Sequence, residues 1–269
     1  MSKDAELVFS YTCDNTDVNA LGNTKSIRMS SDGFCISVVS SQNQLDEFVQ
    51  YVFAPNLSVE KKIKSIVAVE KKQKFNYEHA VFKLYTYLNT QIPEGFYDKG
   101  DESKIISLLT DQAEQYVSLA EKIESWQLYT VSLWKTEFFQ KIQKEFPDFQ
   151  LSTTMAALMN FVSKQEKETA LIFVENNNFT VIAANKNGLL GANTFSFTSE
   201  TDFIYYCMAF LRKMFPKVDS LPLTLCGNIM EGSPLYNAIG KYFASVTFVI
   251  PENKDDFRIE DYSQYCDLF

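Results

Sequence analysis

Two short stretches of this chain carry the same apolar pattern around a tight polar turn, and this repetition limits the fold more than any other feature. With Phe34 laid on Phe179, Ile27 falls on Ile172, Met29 on Val174, Ile36 on Val181 and Val38 on Ala183, while the turn Asp32-Gly33 falls on Asn177-Asn178. Each stretch reads as two strands with alternating faces, so each predicts an antiparallel hairpin. In the first, the Asp-Gly pair predicts a type I′ turn with positive φ angles. A repeated supersecondary unit fixes architecture before any motif is weighed.

The segments around the hairpins complete two similar halves. In the second, residues 169–175 and 179–184 pair across Asn176, Asn177 and Asn178. A turn at 185–188 leads to a third apolar run near 194–197, a helix-period segment spans 200–215, and a strand over 221–226 ends at Gly227. In the first half, residues 6–13 predict an edge strand. Leu45, Phe48, Val49 and Val52 recur at helical spacing and predict a helix over 45–53, stopped before Pro55. Ser58 caps a lysine-rich helix whose apolar stripe includes Ile63, Ile66 and Val67. Residues 80–88 predict a strand, Pro93 an exit from the next segment, 104–109 and 111–120 helices, and 126–134 a buried strand. An amphipathic helix over 135–146 stops at Pro147, then 150–153 predicts a strand and 155–164 a helix. The charged stretch 165–168 is the predicted boundary, giving domains 1–165 and 166–269.

Charge excludes some partners. The chain carries 34 acidic against 25 basic side chains, which disfavours nucleic acid and anionic membrane surfaces. The lysines between 61 and 74 fit the solvated face of an amphipathic helix. No apolar run reaches membrane-spanning length and no leader-like segment opens the chain, which predicts a cytoplasmic protein without membrane insertion. Five scattered cysteines without a Cys-x-x-Cys pair, and His79 as the one histidine, predict reduced thiols and no metal site.

The duplicated strand-strand-strand-helix-strand order resembles the ribonuclease-H-like unit. Two copies in tandem resemble the actin-like ATPase fold of actin, sugar kinases, Hsp70-type chaperones and the bacterial pilus-assembly and type II secretion scaffolds. More closely, Ile27 to Val38, the Ile92-Pro93 step to Phe96, Phe138 to Phe149 with Phe146-Pro147, and the hairpins from Leu171 to Phe197 resemble an uncharacterised bacterial family of that fold. The resemblance implies an α/β protein of two tandem ribonuclease-H-like lobes meeting in a cleft, with mixed sheets flanked by helices.

It also implies where a nucleotide would lie. Actin-like ATPases hold phosphates with two Asp-x-Gly hairpin turns, whose aspartates position Mg²⁺ through water, and lay adenosine against a glycine pair at a strand end. The matching cofactor-binding candidates are Asp32 and Gly33, Asn176 and Asn177, and Gly227 and Asn228. All three loops depart from the pattern. Asp32 and Gly33 are adjacent, Glu175-Asn176-Asn177-Asn178 has neither aspartate nor glycine, and Leu225-Cys226-Gly227-Asn228-Ile229 keeps one glycine of two. The expectation is no bound cofactor, no catalytic residue and no ATP hydrolysis, with anion affinity near Gly227 and the Ser233-Pro234 helix start as the remnant.

Other chemistries are less well supplied. A two-metal nuclease needs converging carboxylates, which 223–226 lacks. His79 has no serine or cysteine motif beside it. The predicted role is an interaction or assembly scaffold acting through a protein partner. Its predicted surfaces are the cleft and the tail 252–269, where Phe257, Tyr262, Tyr265 and Phe269 interleave with acids. The alternative is an actin-like ATPase or kinase with an atypical nucleotide site; oligomeric state is left open.

Overall fold

Strand pairing follows the repeat. The computed structural model describes residues 4–13, 22–42, 44–73, 76–165 and 167–249. The predicted tail, Lys74, Glu166 of the predicted boundary and residues 14–21 lie outside them. Two compact units divide the chain: residues up to Lys122 with Leu128–Ala156, and Ile123–Gln127 with residues from Ala157 onward.

The first unit opens with β1 (Ala5–Thr12), β2 (Thr24–Met29), β3 (Gly33–Val39), β4 (Leu45–Phe53), helix α1 (Val59–Glu70) and β5 (His79–Leu84). An insertion follows, made of β6 (Asn89–Pro93), α2 (Glu102–Leu109), β7 (Tyr116–Ile123) and β8 (Leu128–Lys135). Helix α3 (Thr136–Glu145) and β9 (Gln150–Thr153) return the chain to the main sheet, and α4 (Thr154–Ser163) leaves it. That sheet has the order β1-β4-β3-β2-β5-β9, and β6-β8-β7 form a separate three-stranded sheet. Helices α1 and α3 touch, and Ile63, Ile66, Phe138 and Ile142 join Ile27, Met29, Phe34, Ile36 and Phe82 in one core. As predicted, Ser58 Oγ caps α1 by accepting from the Lys61 amide.

The second unit runs β10 (Thr169–Glu175), β11 (Asn178–Asn185), β12 (Gly188–Ser196), α5 (Glu200–Met214), β13 (Pro222–Gly227), α6 (Pro234–Ile239) and β14 (Ser245–Phe248). Its sheet order is β12-β11-β10-β13-β14, with β10–β13 and β13–β14 parallel and the remaining pairs antiparallel. Without β1, the first sheet has the same order and the same mixture of directions. The register repeats as well. Met29 pairs with Phe34 and Ile27 with Ile36 in the first hairpin, as Val174 pairs with Phe179 and Ile172 with Val181 in the second. Each sheet has the strand order of a ribonuclease-H-like unit, with a helix crossing from its third strand to its fourth.

Four expectations need correction. Residues 45–53 form a strand, because β4 is hydrogen-bonded along both edges, by β1 and β3, and buried on both faces. Its apolar residues stand on both faces, with Asp46, Glu47 and Gln50 among them, so Leu45, Phe48, Val49 and Val52 fall on helical spacing by accident. Residues 111–120 form a short 3-10 turn and most of β7, since Tyr116, Val117 and Leu119 fit a sheet better than a helix. The third strand of the second unit starts at Gly188, well before Thr194. The first hairpin turn has no positive φ at Asp32 or Gly33. Glycine is needed there because a Cβ would lie 2.5 Å from the Tyr51 carbonyl oxygen of β4. Among the described residues, no helix is long and apolar enough to cross a membrane, and Cys13, Cys207 and Cys226 are free thiols.

Candidate functional site

In an open α/β sheet, ligands gather beyond the carboxyl ends of the parallel strands, which turns attention to the ends of β10 and β13. Gly227 closes β13 at φ +87°, and a Cβ on it would lie 2.1 Å from the Val174 carbonyl oxygen and 2.9 Å from the Phe173 ring. No other residue fits without moving β10. The close approach lets the Asn228 amide donate to Val174 O at 2.7 Å, and Asn228 Nδ2 donates to Asn176 Oδ1 at 3.3 Å. Asn176 itself takes φ 45°, a left-handed conformation that asparagine tolerates. Asn177 sits beside it in the turn and accepts from the Phe197 amide at 2.8 Å. Four of the six predicted site residues therefore meet at one end of the second sheet.

A cavity of about 540 Å³ opens there, lined by Asn228, Ile229 and Met230 after β13, by Thr198, Ser199 and Glu200 at the start of α5, and by Ser233 and Pro234 at the start of α6. The α5 terminus has already been supplied with an anion. Ser199 Oγ accepts from the Asp202 amide at 3.1 Å, and Asp202 Oδ2 accepts from the Thr198 and Ser199 amides and from the Thr198 hydroxyl at 2.7 Å. The Thr198 hydroxyl, first among these donors, holds the Asp202 carboxyl below its usual range. Reciprocal capping of this kind satisfies the Thr198, Ser199 and Asp202 amides, three of the donors that a phosphate would otherwise use. Helix α6 spans only six residues, and Ser233 Oγ is taken by the Tyr236 amide, so the anion affinity expected at Ser233-Pro234 has little to stand on.

Asp32 and Gly33 occupy the equivalent turn of the first unit. Ser30 Oγ donates to Asp32 Oδ1 at 2.9 Å, the Asp32 carbonyl accepts from the Phe53 amide at 2.7 Å, and Lys62 Nζ of α1 donates to Ser31 O. Burial lowers the Lys62 ammonium below its usual range, with Asp32 opposing the shift. The turn is a braced hairpin end in which the aspartate is engaged by its own loop and a nearby lysine.

Sequence reasoning overlooks the Thr198-Ser199-Asp202 cap, although Ser and Asp three residues apart before an apolar helix are its signature. It also overlooks a half-buried carboxylate in the first unit. Glu121 of β7 accepts from Ser152 Oγ at 2.5 Å and Thr153 Oγ1 at 2.7 Å of β9, and burial raises its carboxyl above the usual range despite these donors and Lys83. No local signal marks it, because its parts come from different strands.

A family profile described as Protein of unknown function (DUF3822) matches residues 14–246. No curated protein matches the chain. Among solved structures, a Bacteroides thetaiotaomicron protein with actin-like ATPase fold and unknown function is 17% identical, with a TM-score of 0.72 over 84% of this chain and 90% of that one. A chain of the PilM-PilN type IV pilus biogenesis complex is 10% identical, with a TM-score of 0.57 over 91% of this chain and 96% of that one. The cytoplasmic domain of EpsL, an inner membrane component of the type II secretion system of Vibrio cholerae, is 10% identical over 78% of this chain and 84% of that one, and its TM-score of 0.47 is too low to argue from. At these identities the likeness establishes the fold alone.

Proposed function

The chain belongs to the family Protein of unknown function (DUF3822) and has the actin-like ATPase fold, and from that premise we propose a cytoplasmic, non-catalytic protein that works through a protein partner in an assembly. Its lobes are assigned to residues 1–165 and 166–269. One observation carries the reading. Where an actin-like ATPase would have its second Asp-x-Gly phosphate turn, this chain offers Asn176 and Asn177, with Asn228 bonded to Asn176 from the strand end that would meet adenosine, and Asp202 takes the Thr198 and Ser199 amides that lead into α5. Phosphoryl transfer depends almost wholly on metal and phosphate positioning, which these groups do not supply. A partner role is further supported by analogy with the pilus biogenesis complex that contains a chain of similar fold.

Titration with Mg-ATP tests the catalytic half. A nucleotide at a hundred times its Kd would stabilise the fold by about 2.7 kcal/mol, visible as a thermal shift. The expected result is no shift and no phosphate release. A clear shift with phosphate release would move the reading to an ATPase or kinase with an atypical site, which the 540 Å³ cavity beside Asn228 supports. For the partner half, the intact chain and a chain truncated after Val249 are each used for affinity capture. Loss of a specific protein on truncation would assign the contact to the aromatic and acidic tail.

A further inference from the structure

The insertion of the first unit holds a second cavity, of about 870 Å³, which the nucleotide-site comparison does not use. Tyr129 of β8 lies in its wall, and the Tyr97 ring stacks on it with centroids 4.1 Å apart and planes 23° from parallel. Phe96, 83% exposed, stands at the rim.

The charged lining is uneven. Asp98 and Glu102 reach the cavity, against one cation, Lys99. Elsewhere on the insertion, Glu94 holds Lys122 at 2.9 Å and Asp101 holds Lys104. Among the described residues Glu102 has no such cation. Asp98 accepts from the Gly100 amide of its own turn, at 2.9 Å, and its charge is also felt by Lys104. The Tyr97 hydroxyl is held above its usual range by burial first and then by Glu102, Tyr129 and Asp98, so the negative field reaches into the pocket.

Aromatic faces beside two carboxylates and one lysine describe a receptor for an organic cation. We propose that this cavity docks a basic segment of a protein partner, seating an arginine or lysine side chain against the Tyr97–Tyr129 stack beside Glu102. The proposal rests on the partner-dependent reading above and gives it a surface and a chemistry. The volume suits a short extended segment better than a single side chain, and charge complementarity selects a basic one over an acidic or apolar one.

A fluorescein-labelled hexa-arginine peptide, titrated onto the full chain, is the probe, with a Gly-Ser hexapeptide as its neutral counterpart. Glu102→Gln and Phe96→Ala should each weaken hexa-arginine binding about threefold to tenfold. Phe96→Ala removes an exposed ring and so leaves the fold intact. Glu137→Gln, which removes an exposed acid on α3, should leave binding unchanged. Equal weakening by Glu137→Gln, displacement by spermidine at equal charge, or no binding beyond the Gly-Ser peptide would overturn the site. A protein captured equally by the parent and Glu102→Gln overturns the site and leaves the partner reading standing. Peptide binding confined to this cavity with no protein captured does the reverse.

Discussion

Strands β2 and β10 occupy the same place in their sheets, pair in the same register and are buried almost throughout, but they differ in composition. Where β10 carries Ala170, Leu171 and Phe173, β2 carries Lys25, Ser26 and Arg28, each at most 6% exposed. The core face of β10, Ala170, Ile172 and Val174, is matched in β2 by Lys25, Ile27 and Met29, of which Ile27 and Met29 join the core. Register in a sheet is therefore held by a few core-facing residues, and even a position on that face is open to other chemistry once a neighbour compensates. For Lys25 the neighbour is Glu70 at the end of α1, at 2.9 Å, with the Tyr77 ring 4.1 Å from the ammonium.

The glycines offer the largest test of this comparison. Gly227→Ala adds a methyl against the Val174 carbonyl at a left-handed φ, whereas Gly33→Ala adds one against the Tyr51 carbonyl without that conformational cost. Strain and overpacking together should cost about 3 kcal/mol or more at Gly227, and overpacking alone about 1–3 kcal/mol at Gly33. Urea denaturation of both variants measures the difference. A larger loss at Gly33 would mean that the second unit is not the more tightly determined of the two.

Next in size is the buried cation. Glu70→Gln removes the ion-pair partner of Lys25, leaving Glu47 as the acid that still feels its charge, and should cost about 2 kcal/mol, while the double change with Lys25→Met, which makes the first unit resemble the second at Ala170, should recover most of it. Failure of the double variant to recover would show that Lys25 has a role beyond its pairing.

The smallest effect concerns pH. Burial raises the carboxyls of Glu121 and Glu47, both in the first unit. For a carboxyl whose pKa is higher folded than unfolded, the stability it contributes is full below the unfolded value of about 4.3 and is lost as pH rises through the folded value. Glu121→Gln should then be more stable than the parent at neutral pH, by about 1 kcal/mol or less, with the gap closing below about pH 4. Melting temperatures of the two proteins across that range check the sign, and a variant less stable at pH 7 would show that Lys83 needs the charge.

The hairpins are legible in the sequence because Ile27, Met29, Phe34 and Ile36 alternate, as do Ile172, Val174, Phe179 and Val181, and only one register buries each set. Strand β4 is illegible for the opposite reason: apolar and polar residues are mixed on both of its faces, so it does not alternate, and Leu45, Phe48, Val49 and Val52 satisfy a helix template by coincidence. At the candidate site, Gly227 announces a strand end, but nothing local shows that its backbone lies against Val174, since that contact needs the sheet. The aromatic cavity is assembled from three separated segments, 95–102, 118–120 and Tyr129, and no spacing rule joins them.

The carboxylate of Asp202 has a consequence for anything that enters the cavity beside Asn228. Because it is tethered to the helix it caps, it competes for the amides of Thr198 and Ser199 as an intramolecular ligand, at an effective concentration that even a loose tether places in the millimolar range. A free phosphate or carboxylate must displace it and leave it stranded near the incoming charge. The occupant suited to that end of the second unit is a neutral or cationic group, so an anion screen there should return nothing where a screen of uncharged heterocycles would not.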